Sequence, residues 1–252
     1  MSKVRVATDE HAYRITLDDP PLHILDIAML GELRDALGGV GSDRQLLIID
    51  SSGTKAFSAG VSVQDHVGDK IGTMLELFHD CFRTLARLDL VTVALVRGVA
   101  LGGGGELALA CDFVLASERA RFGLPEIALG VFPPVGAYQL SRQLPPRKGL
   151  ELMLTGDPID AATAATLGLV NAVLPADDFD GNATGWLARL TRHSASSLRM
   201  ARKAFRLAQA DDFEERLSVV ERLYLEELMQ THDANEGVAA FTEKRPALWR
   251  HE

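Results

Sequence analysis

Apolar positions in the first two-thirds of this chain fall into two kinds of run, short continuous blocks and stripes at helical spacing, and the two alternate. Val4 to Ala7 and Tyr13 to Leu17 predict opening strands, followed by an amphipathic helix near Ile27 to Leu37 with Leu30, Leu33 and Leu37 on one face. Leu46 to Asp50 reads as a buried strand. Ile71, Leu75, Phe78, Phe82 and Leu85 recur at steps of four and three, which defines a long helix with one apolar stripe, and Val91 to Val96 returns to a strand. A short apolar helix over Glu106 to Ala110 and a buried strand over Phe113 to Ala116 complete the alternation. Strand, helix, strand, helix, strand implies a layered α/β body.

Beyond about Gly136 the pattern becomes helical. Runs at Leu150 to Leu154, Ala161 to Leu167, Trp186 to Arg192, Leu198 to Ala208 and Leu217 to Leu228 follow one another, interrupted by one short strand at Val170 to Leu174. Thr155-Gly156-Asp157-Pro158 and Leu174-Pro175-Ala176-Asp177 carry turn chemistry between them. No long linker separates the two parts and no repeat of solenoid length occurs. The helical region is therefore expected to pack on its own body or on a neighbouring subunit.

Composition narrows the setting. A chain of 252 residues with 47% apolar residues buries one sizeable core, and low-complexity tracts are absent. A net charge of −9 argues against nucleic acid and against anionic membranes, both of which need a basic field. Cys81 and Cys111 sit in apolar helical patterns, so buried, reduced thiols in a cytoplasmic protein are expected rather than a disulfide framework. The opening MSKVRVATDEH has no apolar stretch of signal-peptide length, and nothing approaches the roughly 18 apolar residues of a membrane span, so a soluble protein is expected.

Candidate chemistry begins with Gly98-Val99-Ala100-Leu101-Gly102-Gly103-Gly104-Gly105-Glu106, between a β-rich and a helix-forming stretch. Four consecutive glycines strip a strand-to-helix turn of every Cβ, so a ligand can reach backbone N–H groups at a helix start. Glu106 sets a potential acid or base beside that anion site. Lys55-Ala56-Phe57-Ser58-Ala59-Gly60, after the Leu46 strand, offers a second close approach of backbone to ligand; alone it reads as a tight turn. Phe122-Gly123-Leu124-Pro125-Glu126 supplies a second carboxylate in apolar company. Burial raises a carboxyl pKa, so one glutamate holds a proton while its partner stays ionised.

Gly103-Gly104-Gly105-Glu106-Leu107-Ala108 also fits the dinucleotide fingerprint, with Glu126 near the distance of a ribose-binding acid, so a nicotinamide enzyme is an alternative. Against it, Glu126 does not end the strand after the helix. No Walker sequence, no H-E-x-x-H, no C-x-x-C and no G-x-S-x-G occurs, and the seven histidines are scattered, so no metal site is expected.

Taken together, Ala56 to Gly60, Ala100 to Ala108 and Phe122 to Ile127 with Leu129-Gly130 resemble the enoyl-CoA hydratase/isomerase (crotonase) superfamily in order and spacing. Leu154 to Asp157, Gly168 to Asn171 and Glu236 to Arg245 resemble it too, so the likeness spans essentially the whole chain. The resemblance implies an α/β spiral of ββα units over residues 1–195, and a helical region over 196–252 for trimerisation and coenzyme A contact. It implies an oxyanion hole from the N–H groups of Ala59 and Gly103, with Ser58, Gly60, Val61 and Gly102 around the substrate. Glu106 and Glu126 match the catalytic acids, and retention of both points to a hydratase over a double-bond isomerase. Phe241 and Lys244 match positions near the nucleotide end of coenzyme A; for Lys244 a solvated helix-end charge is the alternative. Coenzyme A enters as part of an acyl-CoA thioester substrate, with no separate cofactor, and a homotrimer or a dimer of trimers is implied. Ser62, where many members carry Asp, and Val131 to Ala137 depart from the usual pattern. Pro20 to Asp26 and Gly130 to Pro134 are similar to the cyclohexa-1,5-diene-1-carbonyl-CoA hydratases. A catalytically silent acyl-CoA-binding protein is the reading that denies catalysis.

Overall fold

Three strands of one sheet are each followed by a second, shorter strand of another, and this doubling organises the structure. The structure is a computed structural model, and it describes residues 2–208 and 213–248; positions 209–212 and 249–252 of the expected C-terminal region lie outside them. In chain order the elements are β1 (Val4–Thr8), β2 (Ala12–Leu17), α1 (Ile27–Gly38), β3 (Leu46–Ser51), β4 (Ala56–Ser58), α2 (Lys70–Arg87), β5 (Val91–Val96), β6 (Val99–Leu101), α3 (Gly103–Leu109), β7 (Phe113–Ser117) and β8 (Arg121–Gly123). There follow α4 (Pro134–Gln143), α5 (Pro146–Thr155), β9 (Ile159–Asp160), α6 (Ala161–Thr166), β10 (Ala172–Leu174), α7 (Phe179–Thr191), α8 (Ala195–Ala208), α9 (Phe213–Arg222) and α10 (His232–Thr242).

Strands pair as a six-stranded sheet, β1-β2-β3-β5-β7-β10, and a four-stranded sheet, β4-β6-β8-β9. Three times the chain leaves a strand of the larger sheet, forms a short strand of the smaller one and then turns helical: β3 to β4, β5 to β6, β7 to β8. The larger sheet is parallel from β2 to β10, with Leu46 opposite Val91 and Val93 opposite Phe113. It is covered on both faces, which is why its strands read as unbroken apolar runs. Ile15, Leu17, Leu47, Ile49, Ala94 and Val96 share the main core with α1 and α2, whereas Leu46, Ile48, Val93 and Leu95 pack with Phe179, Ala183 and Leu187 of α7.

The C-terminal helices lie on their own body. Arg202 and Arg206 of α8 grip Asp112 at 2.6 and 3.0 Å and also donate to the Leu88 and Ala86 carbonyls at the end of α2. Glu221 of α9 takes two Arg83 hydrogen bonds and pairs with His79, both on α2. Cys81 and Cys111 are free and buried. Cys81 lies within α2 as expected; Cys111 falls two residues past the end of α3. Among the described residues no helix is long and apolar enough to cross a membrane.

Candidate active site

Because β4, β6 and β8 run parallel and adjacent, their C-terminal ends lie side by side, and each delivers one of the three sequence motifs there. The carboxyl ends of parallel strands are where α/β sheets hold ligands. From β4 the chain enters Ser58-Ala59-Gly60-Val61, from β6 the glycine run, and from β8 the Pro125–Leu129 turn of 3₁₀ helix that carries Glu126.

The first turn is laced to the segment Leu22 to Leu25. Ser58 Oγ donates to the His23 carbonyl at 2.7 Å and accepts the Gly60 N–H at 3.1 Å. Leu25 N–H donates to Gly60 O, and Ser62 N–H to Leu25 O. Ala59 N–H is engaged in the same ladder, donating to Leu22 O at 2.9 Å. That corrects the expectation that Ala59 is an oxyanion donor: its amide already has an acceptor. The Val61 N–H, two residues on, has no acceptor among the described residues. His23 backs this turn from a left-handed conformation (φ 49°), its Nδ1 accepting Asp19 N–H and its Nε2 meeting Ser52 O.

Gly60 has φ 103°, and a Cβ there would sit 2.9 Å from Leu101 O and 3.5 Å from Gly103 N. Only glycine fits, and the same distances show the two turns in contact. A Cβ on Gly103 would strike Val61 Cγ2 at 2.6 Å. Gly103 N–H, like that of Val61, has no acceptor among the described residues. The structure therefore brings two free backbone donors, Val61 and Gly103, to adjoining turns, with Phe78 of α2 beside them.

Glu106 is 2% exposed, one turn into α3, and its carboxylate reaches the start of α4. Pro133 and Pro134 open α4, and Pro134, at its first position, has no N–H to offer. The first amides that α4 presents, Val135 and Gly136, both donate to Glu106, Gly136 at 2.5 Å. Gln139 Nε2 adds a 3.0 Å bond to the Glu106 carbonyl. Glu126 turns inward over Gly102: a Cβ on that glycine, at φ 53°, would lie 2.8 Å from Glu126 Oε1. Glu126 Oε2 is buried without a partner.

Burial raises the pKa of both carboxyls. For Glu106 the Glu126 charge pushes further upward, opposed by the N–H groups of Gly136 and Val135; Glu126 is lifted to about 7. Two buried carboxyls that repel each other titrate as a unit.

The C-terminal elements complete the surroundings. Tyr224, in a turn of π-helix over Leu223–Glu227, is 1% exposed, packs edge-on against Phe132 at 5.3 Å between ring centres, and has its phenol pKa raised by burial and by the charges of Glu126 and Glu106. Neither Tyr224 nor Gln139 stands out in the sequence, where both occupy ordinary helical positions. Phe241 and Lys244 fall at the end of α10, Phe241 57% exposed and Lys244 capping the helix at φ 55°. Through Gly237, α10 packs against the Leu129 carbonyl of the Glu126 turn. A separate cavity of roughly 530 Å³ lies between α2 and α9, lined by Leu75, Arg83, Glu221 and Leu225, away from the paired glutamates. Among the described residues no three His, Cys, Asp or Glu side chains group as metal ligands.

The sequence profile of the enoyl-CoA hydratase/isomerase family matches residues 8–252. The chain belongs to that family. A cyclohexa-1,5-dienecarbonyl-CoA hydratase from Thauera aromatica is 38% identical over 99% of this chain and 96% of its own length. Among solved structures, a carnitinyl-CoA hydratase from Mycobacterium avium matches with a TM-score of 0.86 at 30% identity over the full length of both chains. An enoyl-CoA hydratase from Mycobacterium avium subsp. paratuberculosis K-10 matches with a TM-score of 0.86 at 26% identity over 98% of each. The fold is thus the crotonase fold, and the doubled strands are its ββα units. Enzymes of this family act on coenzyme A thioesters.

Proposed function

We propose that this enoyl-CoA hydratase/isomerase family member adds water reversibly across the α,β double bond of an acyl-CoA thioester. The observation that carries the reading is the pair of buried glutamates, both with raised pKa, beside two backbone N–H groups unengaged among the described residues. In hydration, negative charge collects on the thioester oxygen as water attacks the β-carbon. The N–H groups of Val61 and Gly103 would hold that oxygen, a donor pair in which each member is typically worth about 100- to 1000-fold in rate. Glu106, its carboxylate oriented by the Gly136 N–H, is assigned as the base on water. Glu126, whose Oε2 has no partner among the described residues, is assigned to deliver a proton to the α-carbon.

Ser58, Gly60 and Gly102 shape the turns around the thioester, and Phe241 and Lys244 are assigned to the nucleotide end of coenzyme A. Residues 1–195 form the catalytic body in this reading. Residues 196–252 serve assembly into a homotrimer or a dimer of trimers, supported by the exposed Met200 and Phe205 of α8. No separate cofactor is needed, and the two buried free cysteines support a cytoplasmic location. A nicotinamide site is disfavoured because Glu126 lies on a 3₁₀ turn facing the glycine run, not at the end of β7.

Hydration of crotonyl-, longer-chain and cyclic dienoyl-CoA esters in oxygen-18 water tests the proposal. Label appearing in a 3-hydroxyacyl product, and lost in Glu126→Gln, supports it. A shifted double bond without label makes the enzyme an isomerase, and acyl-CoA binding without turnover makes it a silent binder.

A further inference from the structure

Tyr224 is a polar side chain in the wrong place for a purely structural residue. Among the described residues it is the largest fully buried side chain, yet its hydroxyl donates to no group there. A tyrosine hydroxyl held among packed side chains ordinarily finds a hydrogen-bond partner. Its setting is specific. Phe132 clamps the ring edge-on, and Phe132 belongs to the loop between Glu126 and Gly136, the residue that donates to Glu106. The backbone beneath it is a π-helical turn, an insertion that re-aims side chains and recurs at functional sites. Both catalytic carboxylates act electrostatically on its phenol, with burial the larger influence, which puts the ring within the field of each.

The same helical segment is anchored away from the site. One turn earlier, Glu221 is fixed by Arg83 and His79 of α2, so the orientation of Tyr224 is set from outside and does not depend on the glutamates.

We infer that the Tyr224 hydroxyl donates a hydrogen bond to the oxygen at the substrate's C3, the atom that arrives as water and leaves the reaction as the 3-hydroxyl. In this role it is a substrate-contacting residue contributed by the C-terminal helices, the third polar group around the added oxygen after Glu106 and Glu126. The inference rests on the hydratase reading above.

Acetoacetyl-CoA carries an oxygen at C3 without being able to dehydrate, and butyryl-CoA lacks that oxygen. Tyr224→Phe keeps the ring against Phe132 and removes only the hydroxyl. Calorimetric titration of both thioesters is expected to show acetoacetyl-CoA weakened about tenfold in Y224F and butyryl-CoA changed less than twofold. Turnover of the best hydration substrate should fall about tenfold or more in kcat with KM within threefold, at an unchanged melting temperature. Equal weakening of both ligands, or no change in either, overturns the assignment while leaving the hydratase reading intact, provided wild-type turnover persists and E126Q abolishes it. Failure of the wild type to bind either thioester removes both together.

Discussion

Replacing Glu126 by Gln should make the protein more stable as well as inactive, and the stability gain should depend on pH in a defined direction. Folding takes this carboxyl out of water and leaves Oε2 without a donor, which lifts its pKa from an ordinary 4.5 to about 7. Between those values the folded state binds more protons than the unfolded chain, so stability falls as pH rises and the whole penalty is present above about 7. A displacement of that size corresponds to roughly 3 kcal/mol. Glutamine removes the charge but leaves a buried amide N–H₂ where Oε2 had no partner, which takes back about 1 kcal/mol. The net expectation is a gain of about 2 kcal/mol at pH 8.5 that shrinks to nothing or reverses slightly by pH 4.5. Urea unfolding of wild type and E126Q at pH 4.5, 6, 7 and 8.5 measures it through the midpoint difference at constant slope. A midpoint difference that is flat with pH, or largest in acid, would refute the claim that Glu126 is held in a proton-raising environment.

Two glycines give sharper local tests. Gly102→Ala places a Cβ 2.8 Å from Glu126 Oε1 on a backbone at φ 53°, so steady-state assays should show kcat reduced at least tenfold, with about 1–2 kcal/mol of stability lost to the left-handed conformation. Gly237→Ala drives a Cβ to 2.1 Å from the Leu129 carbonyl, backbone against backbone, so α10 must shift off the Glu126 turn; scanning calorimetry should find a lowered melting temperature and kinetics a lowered kcat together.

The larger sheet was readable because its strands are buried on both faces and its helices carry single apolar stripes: Leu46 to Asp50, Val91 to Val96 and the stripe from Ile71 to Leu85 all fall within β3, β5 and α2. The smaller sheet was not. β4, β6 and β8 are three residues long and β9 two, too short for a period-two pattern to emerge, and their residues read as turn or glycine run. Yet this second sheet brings the three motifs together. α4 was hidden by its two opening prolines, which serve here as a helix start that sets the Gly136 amide on Glu106. Both glutamates were legible from their apolar neighbours, whereas Tyr224 came to the site through the path of the C-terminal helices, which spacing does not encode.

The misplaced oxyanion donor has a conformational cause that can be tested at single-atom resolution. In an extended segment the N–H groups that face one neighbour are separated by even numbers of residues. Here Ala59 and Ser62, three apart, both face the Leu22 to Leu25 segment, and the phase changes at Gly60, whose φ of 103° lies outside the range of an ordinary strand. That turn leaves the Val61 amide outside the ladder, a change of phase that counting residues from the glycine does not reveal. Replacing the Val61 amide by an ester removes one N–H and almost nothing else. It should lower kcat about 100- to 1000-fold while leaving urea stability nearly unchanged. The same exchange at Ala59, which breaks the bond to Leu22 O, should reduce stability by about 1 kcal/mol and spare most of the chemistry. An ester at Ala59 that halts turnover while the Val61 ester remains active would reverse the assignment of the two amides.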